Sequence, residues 1–88
     1  MSAPVAECGS MKLITSTGDV SAGPCQLIGF YVNSTTGGTI VLGDSTTAVS
    51  GTITPAIGFH RFPGTFGTKC VATIANTISV TFFFATGN

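Results

Sequence analysis

Charge is the scarcest property of this 88-residue chain. Lys and Arg together number three, Asp and Glu another three, and the formal net charge is zero. Charged residues make up 7% of the sequence, against about 25% in an ordinary globular domain. Nucleic acids and anionic membrane surfaces are recognised through clusters of Lys and Arg. Three scattered cations form no such cluster, so the composition argues against both partners.

Residues that carry out catalysis or bind metals are also few. His60 is the only histidine, and no nucleophile and orienting acid accompany it in a recognised pattern. Cys8, Cys25 and Cys70 are far apart in the sequence, whereas structural zinc sites use closely spaced ligand pairs. We therefore expect no enzyme, no metal and no cofactor. We expect the cysteines to be reduced thiols, partly buried, in a protein made in a cytoplasm.

What the chain has in quantity is strand and turn residues. Hydrophobic residues make up 43% of it, together with 12 Gly and 4 Pro. Short apolar and Thr-rich runs between Gly, Pro and Asn predict seven or eight short strands and no helix. The predicted strands are 12–17, 20–22, 25–33, 39–42, 48–54, 58–62, 68–75 and 77–85, with turns at 34–38 and near Asn76. We expect an all-β fold, either a small antiparallel β-sandwich or a jelly-roll-like barrel.

Two parts of the chain differ in character. Residues 1–10 contain Pro4 and Gly9 and have no periodicity, which predicts a flexible N-terminal arm. Residues 11–88 form a single predicted β-sandwich domain. Within that domain, Asp19 and Asp44 lie beside turn glycines, where a carboxylate typically accepts hydrogen bonds from nearby backbone N–H groups.

Alternation along the strands predicts which residues face the core. In the last strand the inward face contains Ile78, Val80, Phe82 and Phe84, and Phe83 interrupts an otherwise polar outer face. In strand 25–33 both faces are apolar, with Leu27 and Tyr31 on one side and Ile28, Phe30 and Val32 on the other. A strand that is apolar on both faces needs a cover. A second copy of the chain or another protein would provide it, and the alternative is a loop or the N-terminal arm.

Arg61 lies among aromatic residues in segment 59–62. Arginine beside aromatic rings stacks on them and binds carboxylates, and such groups are enriched in protein interfaces. The alternative is a solvated strand residue. The expected interface residues are Leu27, Phe30, Tyr31, Phe59, His60, Arg61, Phe62 and Phe83.

Six turn-and-strand segments follow one another between residues 20 and 84. They are VSAGPCQLIGFYVN (20–33), GTIVLGD (38–44), ITP (53–55), FHRFP (59–63), FGTKCVA (66–72) and TISVTFFF (77–84). Their order resembles that of small β-sandwich proteins encoded in the structural gene clusters of tailed bacteriophages. These are uncharged, Thr- and Gly-rich chains on or in the virion, and some are capsid decoration (cement) proteins. The resemblance implies a structural protein without catalytic residues, and it leaves the shell, a connector, the tail or a fibre open as its place in the virion. We expect the protein to be made in the host bacterial cytoplasm and to lie on the capsid surface.

We therefore expect a capsid decoration protein that binds the major capsid protein at junctions between coat subunits and stabilises the shell. A homo-oligomer is expected, with a trimer favoured because it fits a threefold junction. One alternative is a tail, fibre or connector component of the virion. Another is a carbohydrate- or receptor-binding sandwich that uses Tyr31 or an exposed Phe as a stacking platform. The absence of Trp weighs against the latter, because such platforms rely on Trp and Tyr.

Overall fold

The computed structural model describes residues 10–86. Of the predicted arm only Ser10 is included, where it begins a strand, and Glu7 and Cys8 lie outside the described residues. All strands pair antiparallel in one sheet, and residues 10–86 contain no helix, which confirms the all-β prediction. The six strands are β1 (Ser10–Ile14), β2 (Gly18–Asp19), β3 (Cys25–Asp44), β4 (Thr47–Ala48), β5 (Gly58–Phe66) and β6 (Cys70–Thr86).

Two strands are much longer than predicted, because the predicted turns at 34–38 and Asn76 are wrong. β3 and β6 continue through these segments and pair with each other, with a register shift between Thr36 and Gly37 opposite Thr77. Gly37 and Asn76 both have left-handed backbone, with φ of 66° and 62°, which Gly and Asn tolerate best. The Asn76 side-chain amide donates to the Gly37 carbonyl at 2.9 Å. The turn-forming residues therefore produce a β-bulge instead of a chain reversal.

The long sheet folds into two layers. Twenty residues of straight strand would span roughly 65 Å, but the longest dimension of the molecule is 43 Å. The two ends of β3 meet, because Cys25 at its start and Cys70, which pairs with Asp44 at its end, both bond to Ser21. The first layer contains β1, residues 77–86, residues 25–33 and β5, and the second contains β2, residues 70–75, residues 39–44 and β4.

The shorter strands also shift from their predicted bounds. β1 and β2 each begin two residues earlier than predicted. Of the predicted strand 48–54, only Ala48 lies in a strand, as the last residue of β4, and Ile53 forms an isolated bridge with Ile40. β5 continues past Pro63, which lies opposite the register shift at Ile28 in β3. Proline is tolerated in an edge strand or at a bulge, so it does not end the strand here.

The hydrophobic core lies between the two layers. The predicted inward face of β6 is confirmed, because Ile78, Val80, Phe82 and Phe84 are all buried and Phe83 lies on the opposite face. The remaining buried apolar residues come from both layers and the loops between them: Ile14, Val20, Cys25, Leu27, Phe30, Val32, Ile40, Leu42, Phe66, Cys70 and Ala72.

The prediction that Leu27 shares a face with Tyr31 is wrong, whereas Phe30 and Val32 lie on the face opposite Tyr31 as predicted. A register shift between Leu27 and Gly29 places an extra residue in β3, and an extra residue exchanges the faces of everything beyond it. Leu27 therefore shares the core with Phe30 and Val32, at 2%, 1% and 0% exposure. Tyr31 is exposed, and Ile28, at the register shift, is half-buried.

Gly38 provides a test of the folded sheet. A Cβ at this position would lie 2.4 Å from Ile78 Cβ and 2.7 Å from the Thr77 carbonyl oxygen, because the two strands approach closely where the sheet folds. We expect Gly38→Ala to lower the free energy of unfolding by about 1–3 kcal/mol, as overpacking of a buried site does. Urea denaturation measures this loss. Gly51→Ala is the control, since nothing lies within 4 Å of that position, and equal stability of the two variants would contradict the close approach.

Candidate interaction surface

The outer side of the first layer carries a row of exposed apolar side chains. Met11 and Leu13 in β1, Tyr31 in β3 and Phe59 in β5 are 69%, 59%, 43% and 54% exposed. Strand register places Leu13, Thr81, Tyr31 and Phe59 side by side across all four strands, with Met11 beside Phe83 in the neighbouring row. We call Met11, Leu13, Tyr31, Phe59 and Phe83 the outer apolar face. No strand or loop of residues 10–86 covers it.

Aromatic packing holds the centre of this face in position. A Cβ on Gly29 would lie 3.1 Å from Phe59 Cζ, so the Phe59 ring rests over the glycine backbone. The same ring meets Phe83 edge to face, with centroids 6.0 Å apart, an arrangement that aromatic pairs prefer. Phe83 is consequently half-buried. The face is preformed, since its two central rings support each other without a partner.

Half of the predicted interface residues lie on or beside this face. Tyr31, Phe59 and Phe83 belong to it, and Arg61 is exposed at its margin, opposite Gly29. Predicting Leu27 and Phe30 as interface residues was wrong. Both are core residues, because the bulge between Leu27 and Gly29 turns them inward.

His60 and Phe62 lie on the other side of β5. Their rings flank Phe30, with centroid distances of 5.3 Å and 5.9 Å, and so close the open edge of the core. His60 Nε2 donates to the Ala56 carbonyl oxygen at 2.7 Å. This contact fixes the orientation of the ring against the loop that precedes β5.

Sequence reasoning missed Met11 and Leu13. They alternate with Lys12 and Ile14 in β1, so a period of two was present. Met11 lies beside Phe83 and Leu13 beside Thr81 because β1 pairs with β6. Alternation within one strand does not indicate which strand it will pair with, so the sequence could not predict these contacts.

Both edges of the first layer are protected against strand addition. β1 pairs only with β6, and β5 only with β3, within residues 10–86. Lys12 is exposed in the middle of β1, and Pro63 removes a backbone donor from β5. An edge lysine and an edge proline are the usual means of preventing edge-to-edge pairing. Association through the flat face is therefore easier than association through either edge.

The charged groups of the second layer serve the fold. The Asp44 carboxylate accepts from the backbone N–H groups of Thr68 (2.9 Å), Gly67 (3.1 Å) and Lys69 (3.2 Å). The sequence predicted such bonding for Asp44, but to nearby residues in a local turn, whereas these donors lie in the segment before β6. Asp19, also predicted to bond the backbone, is instead 3.2 Å from Lys69 Nζ. That pair is exposed and contributes little to stability.

Residues 10–86 offer no site for a metal ion. They contain no group of three or more His, Cys, Asp or Glu side chains positioned to hold a metal ion. Cys25 and Cys70 are free thiols, and both are buried as predicted. Within the same range there is no helix long and apolar enough to cross a membrane.

Comparisons with known proteins add no relative. No family model, no curated protein and no solved structure matches the chain. A function must therefore be argued from the geometry of its own residues.

Asp44 makes the stability of the protein depend on pH. Hydrogen bonds from Thr68, then Lys69 and Gly67, hold the pKa of its carboxyl below the ordinary value, against a smaller effect of burial. A carboxyl whose pKa falls on folding stabilises the folded state fully above its unfolded pKa of about 3.9. That contribution is lost as the pH falls through the lower folded pKa. We expect Asp44→Asn to be less stable than the unaltered protein at pH 7, with the difference shrinking below about pH 4.

Urea denaturation across this pH range measures the difference. Asp19→Asn is the matched control, because it removes only the exposed ion pair with Lys69 and should change stability little at pH 7. A difference between Asp44→Asn and the unaltered protein that stayed constant down to pH 2 would contradict a stabilising carboxylate.

Proposed function

We propose that this protein is a structural component of a virion, a capsid decoration protein that binds the major capsid protein at junctions between coat subunits and stabilises the shell. The observation that carries the proposal is the outer apolar face, exposed on a two-layered sheet whose described residues hold no metal-binding cluster. The resemblance of segments 20–84 to phage structural proteins supports the same class.

The size of the face decides what kind of association it supports. Aromatic side chains carry roughly 150–250 Å² each, so the exposed parts of these residues give an apolar patch on the order of 400 Å². At about 25 cal/mol per Å², covering it yields roughly 10 kcal/mol, which is similar to the ~4–15 kcal/mol cost of association. One contact therefore holds two molecules weakly. Many copies bound side by side on a lattice become firmly attached through multivalency.

A second copy of this chain is the occupant that the face fits best. The five residues of the outer apolar face carry no charge, and Arg61 at the margin is the nearest ionised group on that side of β5. A charged partner gains nothing from such a surface. Two copies, by contrast, meet without like-charge repulsion, since the whole chain has zero net charge.

The oligomer we propose is a trimer. A closed threefold ring joins two different surfaces of each copy, because its contacts are heterologous. The outer apolar face is one of them. The other is the loop 49–57 after β4, where Val49 and Ile57 are 57% and 64% exposed. The ring then plugs a threefold junction of the shell.

Charged substitutions in the outer apolar face should separate the copies without unfolding them. We expect Tyr31→Asp and Phe59→Asp to weaken self-association roughly 10- to 100-fold each, since each removes about 1.5–3 kcal/mol of apolar burial. Sedimentation velocity over micromolar to millimolar concentrations measures the association. Thr73→Asp is the control. Thr73 is an exposed strand residue of the second layer, so this variant also places an Asp in a strand but leaves the outer apolar face intact.

Mixing variants tests the ring itself. Phe59→Asp retains the loop surface and Val49→Asp retains the outer apolar face, so a heterologous ring predicts that the two variants together form a heterodimer. A twofold, face-to-face dimer predicts instead that Val49→Asp pairs only with itself.

Binding to capsids and their heat resistance test the proposed function directly. The unaltered protein should bind capsids assembled from the coat protein of the same gene cluster and raise the temperature at which they break, whereas Tyr31→Asp should do neither. A stable monomer at tens of micromolar that leaves capsid heat resistance unchanged would overturn the proposal. A tail, fibre or connector role would then be preferred.

A further inference from the structure

Two buried thiols meet where the ends of the folded sheet come together. Cys25 opens β3 in the first layer and Cys70 opens β6 in the second, at 3% and 0% exposure. The Ser21 hydroxyl accepts from the Cys70 backbone N–H at 3.0 Å and lies 3.2 Å from Cys25 Sγ. Ser21 therefore hydrogen-bonds to both residues, to the side chain of Cys25 and to the backbone of Cys70. The sequence separates these residues widely, but the fold places them side by side.

The surroundings keep Cys70 unreactive. Burial, followed by the neighbouring Cys25 and Asp44, raises the pKa of the Cys70 thiol to about 12, so it is protonated at neutral pH. Thiol–disulfide exchange needs a thiolate. Cys70 is therefore a poor first nucleophile, and both groups remain thiols under reducing conditions.

We propose that Cys25 and Cys70 are a latent disulfide site, which a small disulfide oxidant such as oxidised glutathione closes after the protein leaves a reducing environment. The Cys25 thiolate attacks one sulfur of the oxidant, forming a mixed disulfide and releasing one glutathione thiolate. Cys70 loses its proton as it attacks Cys25 Sγ and displaces the second glutathione. The protein loses two protons and two electrons, and two molecules of glutathione are formed.

The bond would join the two layers at the end opposite the bulge of Gly37 and Asn76. It closes the long loop from residue 25 to residue 70, and a disulfide across a loop of this size restricts the unfolded chain strongly. The connection 20–24 lies beside both thiols through Ser21, and its Ala22 and Pro24 are exposed. This site does not depend on the proposed assembly role, and either proposal can fail without the other.

Oxidation of the full chain tests the site. A Cys8→Ser variant removes the third thiol, so that Cys25 and Cys70 alone remain. We expect incubation with oxidised glutathione to produce a two-proton loss in the intact mass and a peptide in which Cys25 is linked to Cys70. The midpoint of thermal unfolding should rise by on the order of 10 °C and return to its starting value on reduction.

A Cys8→Ser, Cys70→Ala variant is the control, and it should acquire one glutathione without a rise in thermal stability. To separate poor access from poor geometry, the oxidation is repeated during refolding from urea. A bond that forms only during refolding, and is retained with the raised midpoint, supports the site. A mixed disulfide as the final product under both conditions, or a cross-linked protein that melts at a lower temperature, would overturn the proposal.

Discussion

The rest of the structure depends on one constraint: the sheet folds over on itself. It does so where β3 and β6 each have a residue with left-handed backbone. At Gly37 and Asn76 the two strands change register together and are tied by the Asn76 amide. Because both strands bend there, a single sheet provides both layers of the sandwich. The two ends of β3 then return to each other at Ser21, and the Asp44 carboxylate fastens the second layer to the residues that follow β5.

A second bulge, in the first half of β3, determines which apolar side chains are exposed on the outer surface. The register shift at Ile28 sends Leu27 and Phe30 into the core and leaves Tyr31 outside. Phe59 lies over Gly29 and packs against Phe83, so an aromatic surface forms there. Strict alternation would instead have placed Leu27 on the same face as Tyr31. The candidate surface is thus a product of one inserted residue in β3.

The shortage of charge connects the fold with the proposed role. One exposed ion pair, between Lys69 and Asp19, is the only one among residues 10–86, and Asp44 is satisfied by backbone donors. A neutral surface does not repel its own copies, while Lys12 and Pro63 prevent sheets from joining at their edges. The self-association that we propose therefore uses the outer apolar face, where weak contacts add up only when many copies are arrayed together.

The sequence by itself determined the all-β class and the inward face of Ile78, Val80, Phe82 and Phe84, because turn residues and a period of two act over a few positions. It did not determine the strand number, the core location of Leu27 and Phe30, or the contribution of Met11 and Leu13. Gly and Asn produce a left-handed backbone in turns and bulges alike, and only the pairing partner decides which one forms. Tertiary structure likewise decided that Cys25 meets Cys70, since that contact arises when the sheet folds and not from any local preference.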